Sequence, residues 1–364
     1  MVIAVTVYHN QDHYHCSQIY TGLGRLWRQG TITLKQRSWR QSRLADLLAE
    51  QPTIVLAEVG GRMVCFDMRD TAEIDLRFLD EVDWYFKRGF ECSTVSSLGD
   101  RGRRIRPLGL NYDVWDDGVD WPAVWRLAQG TGSVGSCARR LGLDVKFQPR
   151  MRVFERDVRV DLPPRVLFLT RVWGASRWND SQASRRDRDQ INESRIACVR
   201  ALKAELGAAF VGGLAPTDLA RKMAPDLICP AEVAAKPTYL RLVKKTPICV
   251  TTTGLHGSNG WKLGEYVAMG RAIVSEPLRH EVPGDFAAGK NYLPFSLPDE
   301  CVGAVVALME NRGLRTQMML RNLDYYRNVL RPDALVRNAL EMCLRNEEAP
   351  ERTPLAVVQA LARH

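Results

Sequence analysis

The sequence predicts an α/β protein of two layered domains, each with a parallel sheet flanked by helices. Three observations carry this. The chain has 364 residues, and at ~150 residues per domain that is about two domains. Short apolar runs alternate with helical or polar stretches, the rhythm of strand–helix–strand units. That rhythm breaks between Pro149 and Pro164, where Arg150, Arg152, Arg156 and Arg159 alternate with apolar residues before Pro163-Pro164, and restarts at Arg165. The expected divisions are residues 1–155, residues 156–330 and a helical tail, 331–364.

In the first half, Ile3 to Tyr8 reads as a strand and Tyr14 to Trp27 as a helix, with Ile19, Leu23 and Leu26 at helical spacing. Thr53–Val59, Met63–Phe66 and Asp83–Phe86 are strand-like, and Ile105–Leu110 is a weaker candidate. In the second half, Arg165 to Thr170 has the unbroken apolar character of a buried strand. A helix over about Arg188–Leu206 ends at Gly207. Strands are expected at Ala208–Val211, Leu227–Cys229, Ile248–Thr252, Ala272–Ser275 and Tyr292–Phe295, and helices at Thr217–Met223, Tyr239–Lys245 and Trp261–Met269. Pro298 with Asp299 and Glu300 marks a first helical turn, favourable for a missing N–H and for acidic charge. That helix is expected to stop near Gly313. Helices at Leu314–Arg327, Asp333–Arg345 and Leu355–Ala362 follow.

Composition limits the function classes. Hydrophobic residues at 45% and charged residues at 26% exclude a mostly disordered or fibrous chain. No apolar run reaches the ~18 residues of a membrane span. Fifty-one Lys and Arg against 42 Asp and Glu leave a charge of +9, which suits either an anionic partner or simple solubility. Nine scattered cysteines without C-x-x-C, and a start lacking the basic segment of a signal peptide, read as reduced thiols in a cytoplasm. Nucleic acid is not an expected partner. The Arg185–Arg195 stretch also carries Asp187, Asp189 and Glu193, so it reads as a solvated helix start. Trp115, Trp121 and Trp125 sit among Asp113, Asp116, Asp117 and Asp120, a poor setting for stacking on bases.

The stretch from Ile248 to Glu281 carries the chemistry. It reads strand, glycine-rich loop, helix, strand, with Gly254, Gly257 and Gly260 in the loop. Glycines let a backbone approach a ligand closely, and a helix starting near Asn259 to Trp261 would aim free N–H groups at an anion. His256, Gly257, Ser258, Asn259 and Gly260 are therefore candidate diphosphate contacts, with Lys262 adding a cation. Glu265, in the next turn, could accept ribose hydroxyls. Neither G-x-x-x-x-G-K-[ST] nor G-x-G-x-x-G is present, and the spacing also suits an ordinary βα loop with a surface glutamate.

The run W-K-L-G-E-Y-V-A-M-G-R-A-I-V-S-E-P, followed by E-V-P-G-D-F and G-K-N-Y-L-P-F, resembles the nucleotide-sugar domain of GT-B-fold glycosyltransferases. The likeness is to the family-1 and family-4 type, including the spore-maturation-protein-like group, and covers about Arg165 to Asn311. It implies two Rossmann-like domains facing across a cleft, with C-terminal helices packing back on the N-terminal domain. It implies that Glu265, before the A-x-G turn of Ala268-Met269-Gly270, binds the ribose. Many such enzymes carry a second glutamate eight residues earlier; here Gly257 stands there, so the E-x7-E pattern is broken. The family also places a basic residue after the first strand of this domain to meet the diphosphate, and Arg171 matches.

Phe66-Asp67-Met68-Arg69-Asp70, Asp83-Trp84-Tyr85-Phe86-Lys87-Arg88 and Pro107-Leu108-Gly109-Leu110-Asn111-Tyr112 resemble landmarks of the acceptor domain. Asp67, Arg69 and Asp70 could touch an acceptor or form a strand-end ion pair. Lys87 and Arg88 could meet phosphate or be a solvated strand end. His9, Asp12, His13 and His15 follow the first strand. They could line an acceptor loop, start a helix or hold a metal, the last the least expected. An inverting transferase needs a base for the acceptor hydroxyl, and His13 and Asp67 are the candidates. His280 and Glu281 suit a capped loop near the donor. Gly130, Gly132 and Gly135 lack the lysine of a phosphate loop and read as a turn.

The expectation is a metal-independent glycosyltransferase with no cofactor beyond its nucleotide-diphosphate-sugar co-substrate. The acceptor would be a glycan, lipid-linked or protein hydroxyl, met in the cytoplasm with room for peripheral contact at an anionic membrane face. The alternatives are a nucleotide-sugar epimerase and a non-catalytic nucleotide-binding scaffold.

Overall fold

The computed structural model describes residues 2–10, 14–117, 147–155, 158–175 and 181–345. His13 and Asp12, Trp121 and Trp125, Asp120, Gly130 to Gly135 and the expected helix Leu355–Ala362 lie outside the described residues. The chain divides into two compact α/β units. One comprises Met1–Gln148, His280–Pro283 and Arg331–His364; the other comprises Pro149–Arg279 and Gly284–Leu330. No helix among the described residues is long and apolar enough to cross a membrane.

The first unit is built on six strands: β1 (Ile3–His9), β2 (Ile32–Ser38), β3 (Ile54–Val59), β4 (Arg62–Asp67), β5 (Trp84–Lys87) and β6 (Ile105–Pro107). Their order is β2-β1-β3-β4-β5-β6. The sheet is mixed rather than wholly parallel as expected: β3 runs antiparallel to both β1 and β4. The cause is the two-residue link Gly60-Gly61, with φ of 56° and 83°. Positive φ at both central positions is what a tight type I′ hairpin requires. β2 is absent from the sequence reading, although Ile32 and Leu34 alternate with polar neighbours as an edge strand would.

On one face of this sheet, Val5, Val7, Val55, Ala57, Val64, Phe66, Trp84 and Phe86 form a core with helix α1 (Ser17–Arg28) and the Pro332–Leu344 helix. The late helix thus belongs to the first unit. Close approach at Gly22 permits this, since a β-carbon there would collide with the Pro332 carbonyl oxygen. Ion pairs at the helix start reinforce it: Asp333, fully buried, pairs with Arg331 at 2.7 Å and with Arg25 at 3.8 Å.

The second unit contains β7 (Val166–Thr170), β8 (Phe210–Leu214), β9 (Ile248–Thr251), β10 (Ala272–Ser275) and β11 (Leu293–Pro294). All are parallel, in the order β11-β10-β9-β7-β8. Val166, Phe168, Ile248, Val250, Ala272 and Val274 meet Cys198, Val199 and Leu202 of α2 (Gln182–Leu206) and Cys301, Val305 and Leu308 of the Pro298–Glu310 helix. The expected strand at Leu227–Cys229 is instead a short 3-10 turn followed by one bridge, Leu214 to Ile228. The stop expected near Gly313 falls at Asn311, whose side chain caps the following Arg312–Tyr325 helix at Leu314 N–H, 2.9 Å.

The strand order places a topological switch in this unit. The chain steps from β7 outward to β8, then returns to β9 on the other side of β7. The crossovers on either side of that point leave in opposite directions. The carboxyl ends of β7 and β9 therefore flank a crevice, the usual ligand position in an open α/β sheet.

Candidate functional site

The site residues of the second unit gather at those two carboxyl ends. After β9 the chain passes through Thr252 and Thr253 into a 3-10 turn, Leu255–Gly257, and enters helix α4 (Trp261–Ala268) with Gly260 as its N-cap. The loop closes on itself through Gly254 N–H to the Ser258 carbonyl, 2.9 Å. Two further anchors hold it. Glu276 accepts from Thr253 N–H at 2.8 Å and from its hydroxyl at 2.6 Å. Asp187 on α2 accepts from His256 N–H at 3.1 Å. Ser258 and Asn259 are buried while His256 is exposed. Gly260, the N-cap, brings no side chain to the start of α4, which leaves a helix N-terminus suited to an anion.

Arg195 ties the two strand ends together. Its guanidinium donates to Thr252 Oγ1 at 2.8 Å and the Thr253 carbonyl at 3.1 Å beyond β9, and to the Arg171 carbonyl at 2.7 Å beyond β7. Burial brings its pKa down to about 10; Glu276 opposes that and Arg171 adds to it. The Arg171 guanidinium itself stacks over Trp173, 4.3 Å from the ring centre, and Arg171 is exposed. The Trp173 backbone is clamped by Asn192, which accepts at 2.7 Å and donates at 2.9 Å.

This corrects the reading of Arg185–Arg195 as a solvated helix start. Arg188, Asn192 and Arg195 are buried, spaced at i, i+4 and i+7 on one face of α2. The helical spacing was visible in the sequence; the mixed charge concealed it.

Lys262 and Glu265 lie one turn apart on α4, yet they do not pair. The Lys262 ammonium donates to the Leu169 carbonyl of β7. Burial pushes its pKa down to about 7; Glu265 opposes this, while Arg195, Lys236 and Arg171 add to it. Glu265 is 1% exposed and its Oε1 is paired with Lys236. Lys236 opens the Lys236–Lys245 helix, α3, which packs on β7. Tyr239, one turn on, lies under both ammonium groups, 5.6 Å from Lys236 and 5.0 Å from Lys262. Burial, then the Glu265 charge, holds the Tyr239 phenol well above its ordinary range. Lys236, Tyr239 and Arg195 were not among the sequence candidates. Twenty-nine residues separate Lys236 from Glu265, and only the fold makes them neighbours.

Gly257 sits where the resemblance would place a glutamate. It has φ +69°, and a β-carbon there would stand 2.6 Å from Arg279 Cδ. A side chain there is disfavoured by the left-handed backbone, and Arg279 would have to move to admit one.

In the first unit, strand pairing brings Asp67 of β4 directly opposite Lys87 of β5. Both are fully buried. Asp67 accepts from Tyr85 Oη at 2.6 Å, Lys87 Nζ at 3.1 Å and Arg69 Nη2 at 2.7 Å. Burial alone would raise the Asp67 pKa, but Lys87 and Arg69 outweigh it and hold it below the usual carboxylate range. Lys87 and Arg88 are therefore not a solvated strand end: both are buried, Arg88 pairing with Asp70. His9 is buried and stacks on Tyr20 with ring centres 4.5 Å apart. His280 is buried 3.6 Å from Glu91, and Glu281 accepts from Cys92 N–H at 3.1 Å.

The sequence matches no protein-family model and no curated protein sequence. Among solved structures, a Rickettsia africae glycosyltransferase aligns at 9% identity and a TM-score of 0.41, covering 93% of this chain and 83% of its own. Anabaena HepE in complex with UDP and glucose aligns at 10% and 0.35, covering 88% and 89%. A Neisseria meningitidis UDP-GlcNAc 2-epimerase bound to UDP-GlcNAc aligns at 11% and 0.34, covering 94% and 76%.

Proposed function

We propose that this protein is a GT-B-type glycosyltransferase, transferring a sugar from a nucleotide-diphosphate donor to an acceptor hydroxyl. One observation carries the reading. At the switch point of a five-stranded parallel sheet, a glycine-rich turn and a helix start with glycine as its N-cap stand beside Lys262, Arg195 and Arg171, with a buried glutamate one turn further on. Anion donors beside a buried carboxylate are what the diphosphate and ribose of one nucleotide need.

In this reading Glu265 accepts from the ribose. Backbone N–H groups from Gly257 to Gly260, with Lys262 and Arg171, take the diphosphate. Negative charge grows on that diphosphate as the glycosidic bond breaks, so fixed donors there lower the barrier. Lysine and arginine supply the counter-charge, and transfer is expected to proceed without a divalent metal. The sequence likeness to the spore-maturation-protein-like group belongs to the same reading. Asp67 is committed to an internal ion network, which leaves His13 as the remaining candidate base of the first unit.

The vacant glutamate position at Gly257 favours a second reading, a nucleotide-binding scaffold on this fold without transferase activity. Calorimetric titration with UDP, GDP and dTDP, with and without chelator, tests the donor site. Binding of one nucleotide, indifferent to chelator and weakened by Glu265→Ala, is the expected result. Absence of binding to all three overturns both readings. Product analysis with and without an acceptor then separates transfer from epimerisation and from binding alone.

A further inference from the structure

Glu265 is buried, yet only half of its carboxylate is used. Oε1 is paired with Lys236, whereas Oε2 is shielded from solvent and meets no donor at full hydrogen-bond geometry among the described residues, the Tyr239 hydroxyl standing near the carboxylate. A buried acceptor without a donor costs on the order of 1–3 kcal/mol, so such an atom in a native structure calls for a partner, and a ligand hydroxyl can be one. Lys262 is the lysine that helical spacing would pair with Glu265, but its ammonium is spent on the Leu169 carbonyl of β7. The cation that fixes the carboxylate comes instead from another helix.

We propose that Lys236 is a positioning residue for nucleoside recognition: its ammonium pins Oε1 of Glu265 and thereby presents Oε2 as the acceptor for one ribose hydroxyl. The inference rests on the nucleotide-binding reading and adds to it the residue that sets ribose selectivity. Lys236 is itself held in place. It opens α3 immediately before Pro237, which fixes the backbone there, and its ammonium lies over Tyr239. Its side chain is 29% exposed against 1% for Glu265. The lysine therefore reaches solvent where the carboxylate does not, and removing it takes away the cation paired with Oε1.

The test measures selectivity rather than affinity alone. UDP and GDP are titrated against their 2′-deoxy and 3′-deoxy forms, using wild type, Lys236→Met, Lys236→Gln, Lys236→Arg and Glu265→Gln. Each variant is first checked by thermal melting. In the wild type, loss of the hydroxyl that meets Oε2 should weaken binding about tenfold or more, as expected for a hydrogen bond to a charged acceptor. Lys236→Met should bring the ribose-to-deoxyribose ratio within about twofold of unity, as should Glu265→Gln. Lys236→Arg should retain most of it. If Lys236→Met does not fold, Lys236→Gln, which keeps a donor without the charge, should give an intermediate ratio. Lys236→Met combined with Glu265→Gln should lose no more selectivity than either substitution alone, because the two residues act as one unit.

A wild-type ratio preserved in Lys236→Met or Lys236→Gln but lost in Glu265→Gln overturns the role of Lys236 and leaves Glu265 as the ribose contact. Wild-type binding that ignores both hydroxyls overturns the ribose role of Glu265 and this inference with it. No binding of either nucleotide by the wild type overturns the nucleotide-site reading itself.

Discussion

Nucleotide binding at this site should draw a proton from solution, and Lys262 should be its destination. Burial holds the Lys262 pKa at about 7 against an ordinary value of 10.5. At pH 8 the ligand-free lysine is then roughly nine-tenths neutral. A diphosphate charge about 4 Å from the ammonium contributes on the order of 4 kcal/mol at an effective dielectric of ~20. That is about three pH units, enough to return the group to near its ordinary pKa. Binding at pH 8 should therefore take up about 0.9 proton, and binding at pH 6 close to none at this lysine. Affinity should fall by up to tenfold per pH unit above about pH 7, until the bound-state pKa is reached. Calorimetry at pH 8 in HEPES and in Tris measures the uptake directly, because the apparent enthalpy changes with the ionisation enthalpy of the buffer. A nucleoside diphosphate is itself fully ionised there, its last pKa being about 6. Lys262→Met should abolish the uptake. Nucleotide binding with no buffer dependence in the wild type would refute this assignment of the cation.

The same lysine should weaken the fold near neutrality. Its folded-state pKa is depressed, so the cost of the buried charge is full below about pH 7 and fades as pH rises toward 10.5. Lys262→Met should raise the melting temperature of the second unit at pH 6.5, with a gain worth about 3 kcal/mol after the lost contacts are subtracted, and much less at pH 10. Asp67→Asn should cost about 3–5 kcal/mol by leaving Lys87 buried opposite a neutral side chain, read by urea unfolding at pH 7. The Asp67 contribution is complete above the ordinary carboxylate pKa of 3.8 and is lost as pH falls through its lower folded value, so the variant should also show a flatter acid-unfolding profile. Gly257→Ala should cost about 1–2 kcal/mol, from the left-handed backbone and the contact with Arg279; an unchanged melting temperature would contradict the rigidity of this loop.

Much of the fold was legible because local signals and global structure agree. The apolar runs at β7, β3 and β4, and the strand–glycine–helix grammar from Ile248 to Ala268, each announce their elements locally. What remained hidden depends on contacts that close over distance. The antiparallel direction of β3 turned on reading Gly60-Gly61 as a hairpin rather than a loop. Leu227-Ile228-Cys229 has the composition of a strand, but Leu227 ends a 3-10 turn and only Ile228 makes a bridge.

The candidate site divides in the same way. Lys262, Glu265 and the glycine loop were marked by spacing within one βα unit. Arg195 was masked by charges around it, because burial of an arginine becomes intelligible only when Thr252, Thr253 and Arg171 are seen to supply three acceptors. Lys236 had no local mark at all. Asp67 and Lys87 were both noticed, but their pairing follows from strand register, which no single stretch encodes.

The Pro332–Leu344 helix has a consequence for biosynthesis. Its residues complete the core that begins at β1, and Gly22 on α1 is shaped to receive it. A ribosome working at about 5–20 residues per second would place roughly 15–60 s between the emergence of α1 and that of its partner helix. During this interval Ile19, Leu23 and Leu26 have no permanent cover from Val336, Ala339 and Leu340. The second unit, continuous apart from the short His280–Pro283 excursion, can close its own sheet meanwhile. Translation order and completion order are thereby reversed, and nascent chains stalled before residue 332 should engage chaperones through the N-terminal half.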